Sequence, residues 1–231
     1  MITEFVYTWC SIYIHKMYRP RVISLEGNIG AGKSTLLETM KEKFKDRKDV
    51  IFIEEPVGIW ESIQQDGLNM LQLFYKDNTR YAFAFQILAC TTRLRAIKEA
   101  LKRAEQSPVK IKTIIIERSL DADRHIFAKA LFENKQMESC EYEIYTRLSD
   151  DILRDYSVDG IIWLNTPPEE CKKRIIKRAR IGEEDISLDY LQTCHENHIK
   201  WLGEDIGFVH VIEDTLSELM WDPLLSYLGL Q

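Results

Sequence analysis

The sequence predicts an α/β fold, a five-stranded parallel sheet with helices on both faces and a helical lid. Three observations carry this. Short apolar runs alternate with longer helical patterns, each run is continuous and β-branched rather than alternating, and a glycine-rich turn links the first run to the first helix. Continuous apolar runs are what strands covered on both faces need. Strand alternating with helix implies right-handed crossovers and a parallel sheet.

The strands expected in order are RVISLE (21–26), VIFIE (50–54), TIIIE (113–117), GIIWLN (160–165) and FVHVIE (208–213). Helical patterns fall between them: Lys33 to about Phe44, Met70 to about Glu105, Ala122 to Tyr156 with a break, Pro168 to Arg180, and Leu188 to Gly203. TPPEE (166–170) reads as a helix start, with proline in the first turn and acids near the positive end of the dipole. AEQSPVK (104–110) punctuates the chain before the third strand. With 231 residues and no repeat or low-complexity tract, residues 21–231 read as one domain. Residues 1–20 read as an extension outside the core, and Met17 as a second usable start. That segment lacks a basic leader and a small-residue cleavage site and is too short to span a bilayer.

The formal charge of −6 argues against a general nucleic-acid or membrane-surface binder. Any polyanion must therefore be met by local basic groups. Five scattered cysteines without a CxxC pair fit reduced thiols in a cytoplasmic setting, with mitochondrial or nuclear settings as alternatives.

GNIGAGKS (27–34) matches G-x-x-x-x-G-K-[ST], placing the fold in the P-loop NTPase type. Gly27, Gly30 and Gly32 let the backbone of Asn28, Ile29 and Ala31 turn tightly, so that successive amides face anionic oxygens. Lys33 brings a charge to the β/γ-phosphates, Ser34 can ligate Mg²⁺, and Thr35 continues into the helix whose dipole faces the phosphates. The loop announces a nucleoside triphosphate, and a GTPase, a motor ATPase or a small-molecule kinase would all use it. The strand ends discriminate. FIEEPVGIW (52–60) puts Glu54 and Glu55 at the carboxyl end of strand two, where ligands bind in open α/β sheets. IIIERSLDADRHIFA (114–128) puts Glu117 and Arg118 at the end of strand three, with Asp123 and Phe127 in the next helix. Glu117 suits a place beside the metal, directly or through water.

GNIGAGKST, the strand-end E-P-V followed by Trp60, LFYKD…FAFQ (73–86), ERS and RIIKRAR (174–180) together resemble the deoxyribonucleoside kinases. These are the deoxycytidine, deoxyguanosine and mitochondrial thymidine kinase group, with the insect deoxynucleoside kinase as a relative. The resemblance runs from about Arg21 to Asp214. It implies phosphoryl transfer from Mg²⁺-bound ATP to the 5′-hydroxyl of a deoxynucleoside, and a homodimer. Glu55 would be the general base and Arg118 would hold the 5′-oxygen and the incoming phosphoryl group, while Ser34 and Glu117 would serve the metal. Arg174 and Arg178, i and i+4 on one helix face, and Arg180 just beyond would clamp the donor phosphates. Tyr75 and Glu183 would hold the sugar 3′-hydroxyl, with Glu184 the alternative in the acidic run.

By the same resemblance Gln86 bonds the base edge, Arg93 pairs with Asp123, and Phe127 stacks on the base. Ile29, Trp60 and Phe85 line the pocket, and small Ala89 leaves room near the base. An ionised Asp123 only accepts hydrogen bonds, which suits the exocyclic amino group of cytosine or adenine. Against thymine O4 it sets acceptor against acceptor, a mismatch of about 1–3 kcal/mol. Deoxycytidine, with purine deoxynucleosides behind it, is therefore expected ahead of thymidine. A nucleoside monophosphate kinase would want an Asp-Arg pair after strand two, where this chain has Glu-Glu-Pro-Val. A GTPase would want N-K-x-D, which the sequence lacks, and a silent homologue should have lost Lys33, Glu55 or Arg118. HENH (195–198) has its histidines three apart rather than four and reads as the polar face of a helix.

Overall fold

The computed structural model describes residues 19–183, 185–203, 209–213 and 220–230. Most of the expected N-terminal extension, the alternative Glu184 and the first residue of the fifth expected strand lie outside them. Among the described residues the main sheet has five strands, all parallel: β1 (Arg21–Gly27), β2 (Val50–Ile53), β5 (Thr113–Glu117), β6 (Gly160–Asn165) and β7 (Val209–Glu213). Their order is β2-β5-β1-β6-β7. β1 is central, with chain neighbours sent to opposite sides, so its carboxyl end opens at a topological switch point. The phosphate loop leaves the sheet there.

Alternation along the strands sorts the core into two layers. Ile23 and Leu25 of β1, Ile115 of β5 and Ile162 of β6 pack against Leu36, Leu37 and Met40 of α1 (Lys33–Lys43). Val22, Ile114 and Ile116 face the other way, onto Cys90, Ile97 and Ala100 of α4 (Asn78–Glu105) and Tyr145 of α7 (Ser139–Tyr156). Both faces of the sheet are covered, as the continuous apolar runs require.

Several details differ from the sequence expectation. The single helix expected from Met70 to Glu105 is two, α3 (Met70–Lys76) and α4, parted at Asp77. Asn69 and Gln72 form a capping box on α3, and the Asp77 side chain accepts from the Arg80 amide to start α4. Three elements were not anticipated: α2 (Val57–Ser62), α10 (Trp221–Leu228) and a small hairpin of β3 (Gln64–Gln65) and β4 (Leu68–Asn69). The hairpin turn is Asp66-Gly67, both at positive φ, which is the composition a two-residue turn favours.

The stretch after β5 starts with α5 (Leu120–Ala122), widens into a π turn over Asp123–Ala128, and resumes as α6 (Lys129–Glu133). α8 (Pro168–Arg178) starts with proline and Glu169 and Glu170 in its first turn, as TPPEE suggested. α9 (Leu188–Leu202) carries HENH, and here the expectation is corrected. Asn197 and His198 are buried against the π turn, because this face of α9 packs inward rather than onto solvent. His198 Nδ1 lies 2.7 Å from the Cys194 carbonyl, and burial, with Arg118 nearby, lowers the imidazole to about 3.

Candidate active site

One cavity of about 750 Å³ sits at the carboxyl edge of the sheet, bounded by the phosphate loop, α2 to α4, the π turn and the end of α8. The loop's shape is set by close approach. A Cβ on Gly27 would stand 2.7 Å from the Leu164 carbonyl oxygen, and one on Gly30 2.6 Å from that of Cys171. Lys33 Nζ donates to the Gly27 and Asn28 carbonyls at 3.2 and 2.8 Å, folding the loop around its own ammonium. Burial, with Arg118 alongside, lowers Lys33 to about 8, against the opposing pull of Glu117 and Glu55.

Ser34 Oγ donates to Glu117 Oε1 at 2.7 Å. A hydroxyl and a carboxylate thus converge at the loop mouth, an oxygen set that fits Mg²⁺ completed by phosphate oxygens and water. Among the described residues no group of three or more His, Cys, Asp or Glu gathers as a metal cage.

The two acids after β2 separate sharply. Glu54 is 65% exposed and pairs with Lys41, whereas the Glu55 side chain is 21% exposed and turns into the cavity. Arg93 Nη2 and Arg118 Nε, the latter at 3.3 Å, both meet Glu55 Oε1. Burial alone would raise this carboxyl, but Arg93, Arg118 and Lys33 together outweigh it and hold it at about 2. Arg118 itself adopts a left-handed backbone, φ 69°, uncommon for a residue with a side chain. Its guanidinium lies 4.4 Å from the Phe127 ring centroid and donates to the Gly27 carbonyl at 3.2 Å. Its Nη1 is buried without a partner among the described residues.

The Arg93–Asp123 pair forms as expected, with Arg93 Nη1 at 2.6 and 2.8 Å from the two Asp123 oxygens. Burial raises Asp123 to about 6, with Arg93 and Arg118 pulling the other way. Trp60, in edge contact with Phe85, carries the Arg93 guanidinium over its ring at 5.0 Å and donates from Nε1 to Thr92. Gln86 Oε1 is buried at the cavity wall with no partner among the described residues. Ala89 and Ile29 complete that wall.

Tyr75 and Glu183 both line the cavity, and the Tyr75 phenol is raised by burial and then by the Glu183 and Glu55 charges. Glu183 is engaged by Arg178 and, at 3.1 Å, by Arg180, while Arg174 holds the Ala31 carbonyl at 2.9 Å. The lid arginines thus reach the cavity but pair within the chain. Of the sites foreseen in the sequence, Gly27, Asn28 and Ala31 contribute backbone that shapes the loop, and the others line the cavity itself. Sequence reasoning missed Leu71, Phe74 and Tyr190, also cavity-lining. Phe74 stacks on Phe85 at 4.6 Å, and its place beside Tyr75 in LFYKD was the available signal.

The family described as deoxynucleoside kinase matches residues 23–222. Deoxycytidine kinase 2 of Gallus gallus is 40% identical over 207 residues, covering 80% of this chain and 75% of that protein. Human deoxycytidine kinase is 37% identical over 205 residues, covering 80% and 76%. The mitochondrial deoxyguanosine kinase of Xenopus laevis is 34% identical over 206 residues, covering 81% and 75%. With the family match spanning most of its length, the chain belongs to the deoxynucleoside kinase family.

Proposed function

We propose that this chain transfers the γ-phosphoryl group of ATP to the 5′-hydroxyl of a deoxynucleoside, deoxycytidine first and purine deoxynucleosides behind it, in nucleotide salvage. The observation that carries the reading is Glu55, held by Arg93 and Arg118 in the cavity that the phosphate loop enters. The loop amides and Lys33 bind the donor phosphates, and Arg174, Arg178 and Arg180 reach them once their internal partners are exchanged. Ser34 and Glu117 would hold Mg²⁺, which neutralises charge on the β- and γ-phosphate oxygens when bound.

The base lies between the Trp60–Phe85 wall and Phe127, and Tyr75 and Glu183 take the sugar 3′-hydroxyl. The 5′-oxygen attacks the γ-phosphorus, the bond from that phosphorus to the β,γ-bridging oxygen breaks, and its electron pair leaves with ADP. Glu55 Oε2 receives the hydroxyl proton. A carboxylate held near 2 is a weak base, so its work is to orient the nucleophile. That suffices for a loose phosphoryl-transfer transition state, which needs positioning and charge neutralisation above all. Arg118, with one buried nitrogen unpartnered among the described residues, supplies the neutralising charge.

Preference for an amino-bearing base follows from Asp123, ionised and locked on Arg93, which can only accept. The Gln86 amide can accept from the same amino group while donating to ring N3. A cytoplasmic homodimer belongs to the same proposal, the scattered cysteines supporting the compartment and the family resemblance the homodimer. The reading is tested by incubating the protein with ATP, Mg²⁺ and deoxycytidine and identifying the product by phosphorus NMR. Deoxycytidine 5′-monophosphate with stoichiometric ADP is expected. ATP hydrolysis alone, or phosphate on the 3′-oxygen, would refute it.

A further inference from the structure

Glu26 stands where a sheet covered on both faces least favours an acid. It belongs to β1, the central strand, is 0% exposed, and is absent from the residues lining the cavity. A buried carboxyl persists where its hydrogen bonds are met. Its Oε1 accepts from the Ser119 amide at 2.8 Å. Ser119 follows Arg118, whose left-handed φ of 69° turns the chain out of β5. A strand cannot continue through that conformation, so the Ser119 N–H loses its ladder partner while the residue stays fully buried. Three consecutive residues of β1 hold this turn. The Leu25 carbonyl accepts from the Arg118 amide at 3.0 Å, Glu26 takes the next amide, and the Gly27 carbonyl accepts from the guanidinium at 3.2 Å. Two of these holds are backbone, which any sequence supplies; Glu26 is the side chain among them.

We propose that Glu26 is a positioning residue for Arg118, fixing the left-handed backbone from which the guanidinium reaches Glu55 and the transferring phosphoryl group. The inference rests on the kinase reading above. A residue with a side chain is strained in this region and stays there when its surroundings over-determine it. Without the Glu26 oxygen, the Ser119 N–H is a buried donor lacking an acceptor, and rotation of the 118–119 peptide relieves both the strain and the orphaned donor. Ser119 Oγ caps α5 through the Ala122 amide at 3.1 Å, so the helix side of the turn stays anchored and the adjustment falls on Arg118. Arg118 Nε then leaves Glu55 Oε1, which it meets at 3.3 Å. The arginine is still present and charged, but misplaced. Misplacement of about 1 Å at a reacting group can cost about a hundredfold in rate. Because Glu26 does not line the cavity, the loss falls on turnover rather than on substrate affinity.

The test compares E26Q and E26L with ATP, Mg²⁺ and deoxycytidine. E26Q keeps an acceptor at the Oε1 position, and its amide nitrogen replaces Oε2, which has no partner among the described residues. It should retain kcat within about threefold. E26L keeps the volume without an acceptor, and should lower kcat roughly tenfold or more with KM for both substrates within about threefold. Full kcat in E26L, an effect confined to KM, or an equal loss in E26Q overturns the proposal. The route through Arg118 is tested in the R118M background, where E26L should have little further effect on kcat. An equal fold-loss in both backgrounds would make Glu26 merely structural. Should E26L not fold, hydrogen exchange of the unaltered protein decides. A Ser119 amide as protected as the amides of β5 supports the proposal, and exchange at the rate of an open loop overturns it. Absence of phosphorylation of any deoxynucleoside by the unaltered protein would instead remove the kinase reading, and this inference with it.

Discussion

Replacing Arg93 by Met and Asp123 by Ala together should turn the preference toward thymidine. Asp123 is 2% exposed and both of its oxygens lie on Arg93, so the single change R93M strands a buried carboxylate. Breaking one partner of such a pair typically costs about 3–5 kcal/mol. The double change removes both charges and refills the space with apolar volume, and should be milder per residue. It has one unavoidable consequence: Glu55 loses one of its two arginines and keeps Arg118. Turnover should therefore fall for every nucleoside, and the specificity must be read as a ratio. With the Asp123 acceptor gone, thymine O4 meets no repulsion and Gln86 can turn its amide toward N3–H. Relief of about 1.4 kcal/mol gives a swing of roughly tenfold in the thymidine-to-deoxycytidine ratio of kcat/KM. Steady-state kinetics of the purified variant with both nucleosides, alongside thermal unfolding of the two single variants, measures each part. An unchanged ratio would show that the pair is structural and that the specificity argument is wrong.

E55Q should cut turnover by roughly a hundredfold or more while calorimetry shows nucleoside binding largely kept, since the shape remains and the proton acceptor is lost. The same variant isolates a pH effect. The Glu55 carboxyl is depressed from 4.5 to about 2, so its stabilising contribution is full above about 4.5 and is lost as pH falls toward 2. The stability gap between unaltered protein and E55Q should narrow over that window, and a gap that widens would contradict the ion pairing. G30A should abolish ATP binding measured by fluorescence titration, because φ is +79° and the new Cβ would stand 2.6 Å from a backbone oxygen. Deleting residues 1–16 should leave soluble, active protein, since β1 starts at Arg21; loss of either property would show that the aromatic segment packs onto the domain.

The five strands were legible because each is a continuous β-branched run, as a doubly covered sheet requires. The phosphate loop and ERS were legible because their chemistry fixes residue types at fixed spacing. What escaped had other causes. Asp77 interrupts an unbroken helical pattern, and only its cap to Arg80 parts α3 from α4. The Asp-Gly of the hairpin was a readable signal, but its strands are two residues each and leave no periodicity. The π turn at Asp123–Ala128 replaces an α-helical register by a wider one, which the apolar pattern does not reveal. Arg93 and Asp123 could be paired by resemblance, yet the contact of Arg93 with Glu55, 38 residues earlier, depends on how α4 crosses the end of β2. His198 looked like solvent-facing helix because sequence does not say which face of α9 meets the π turn.

The central claim is tested most directly by competition. Unaltered protein, ATP and Mg²⁺ are given equal, subsaturating amounts of the four deoxynucleosides, and the monophosphates formed early are separated by chromatography. The product ratios report kcat/KM ratios without other assumptions. The account predicts 5′-monophosphates with deoxycytidine ahead, purine deoxynucleosides behind it and thymidine last. Thymidine monophosphate as the leading product, or no monophosphate at all, would contradict it.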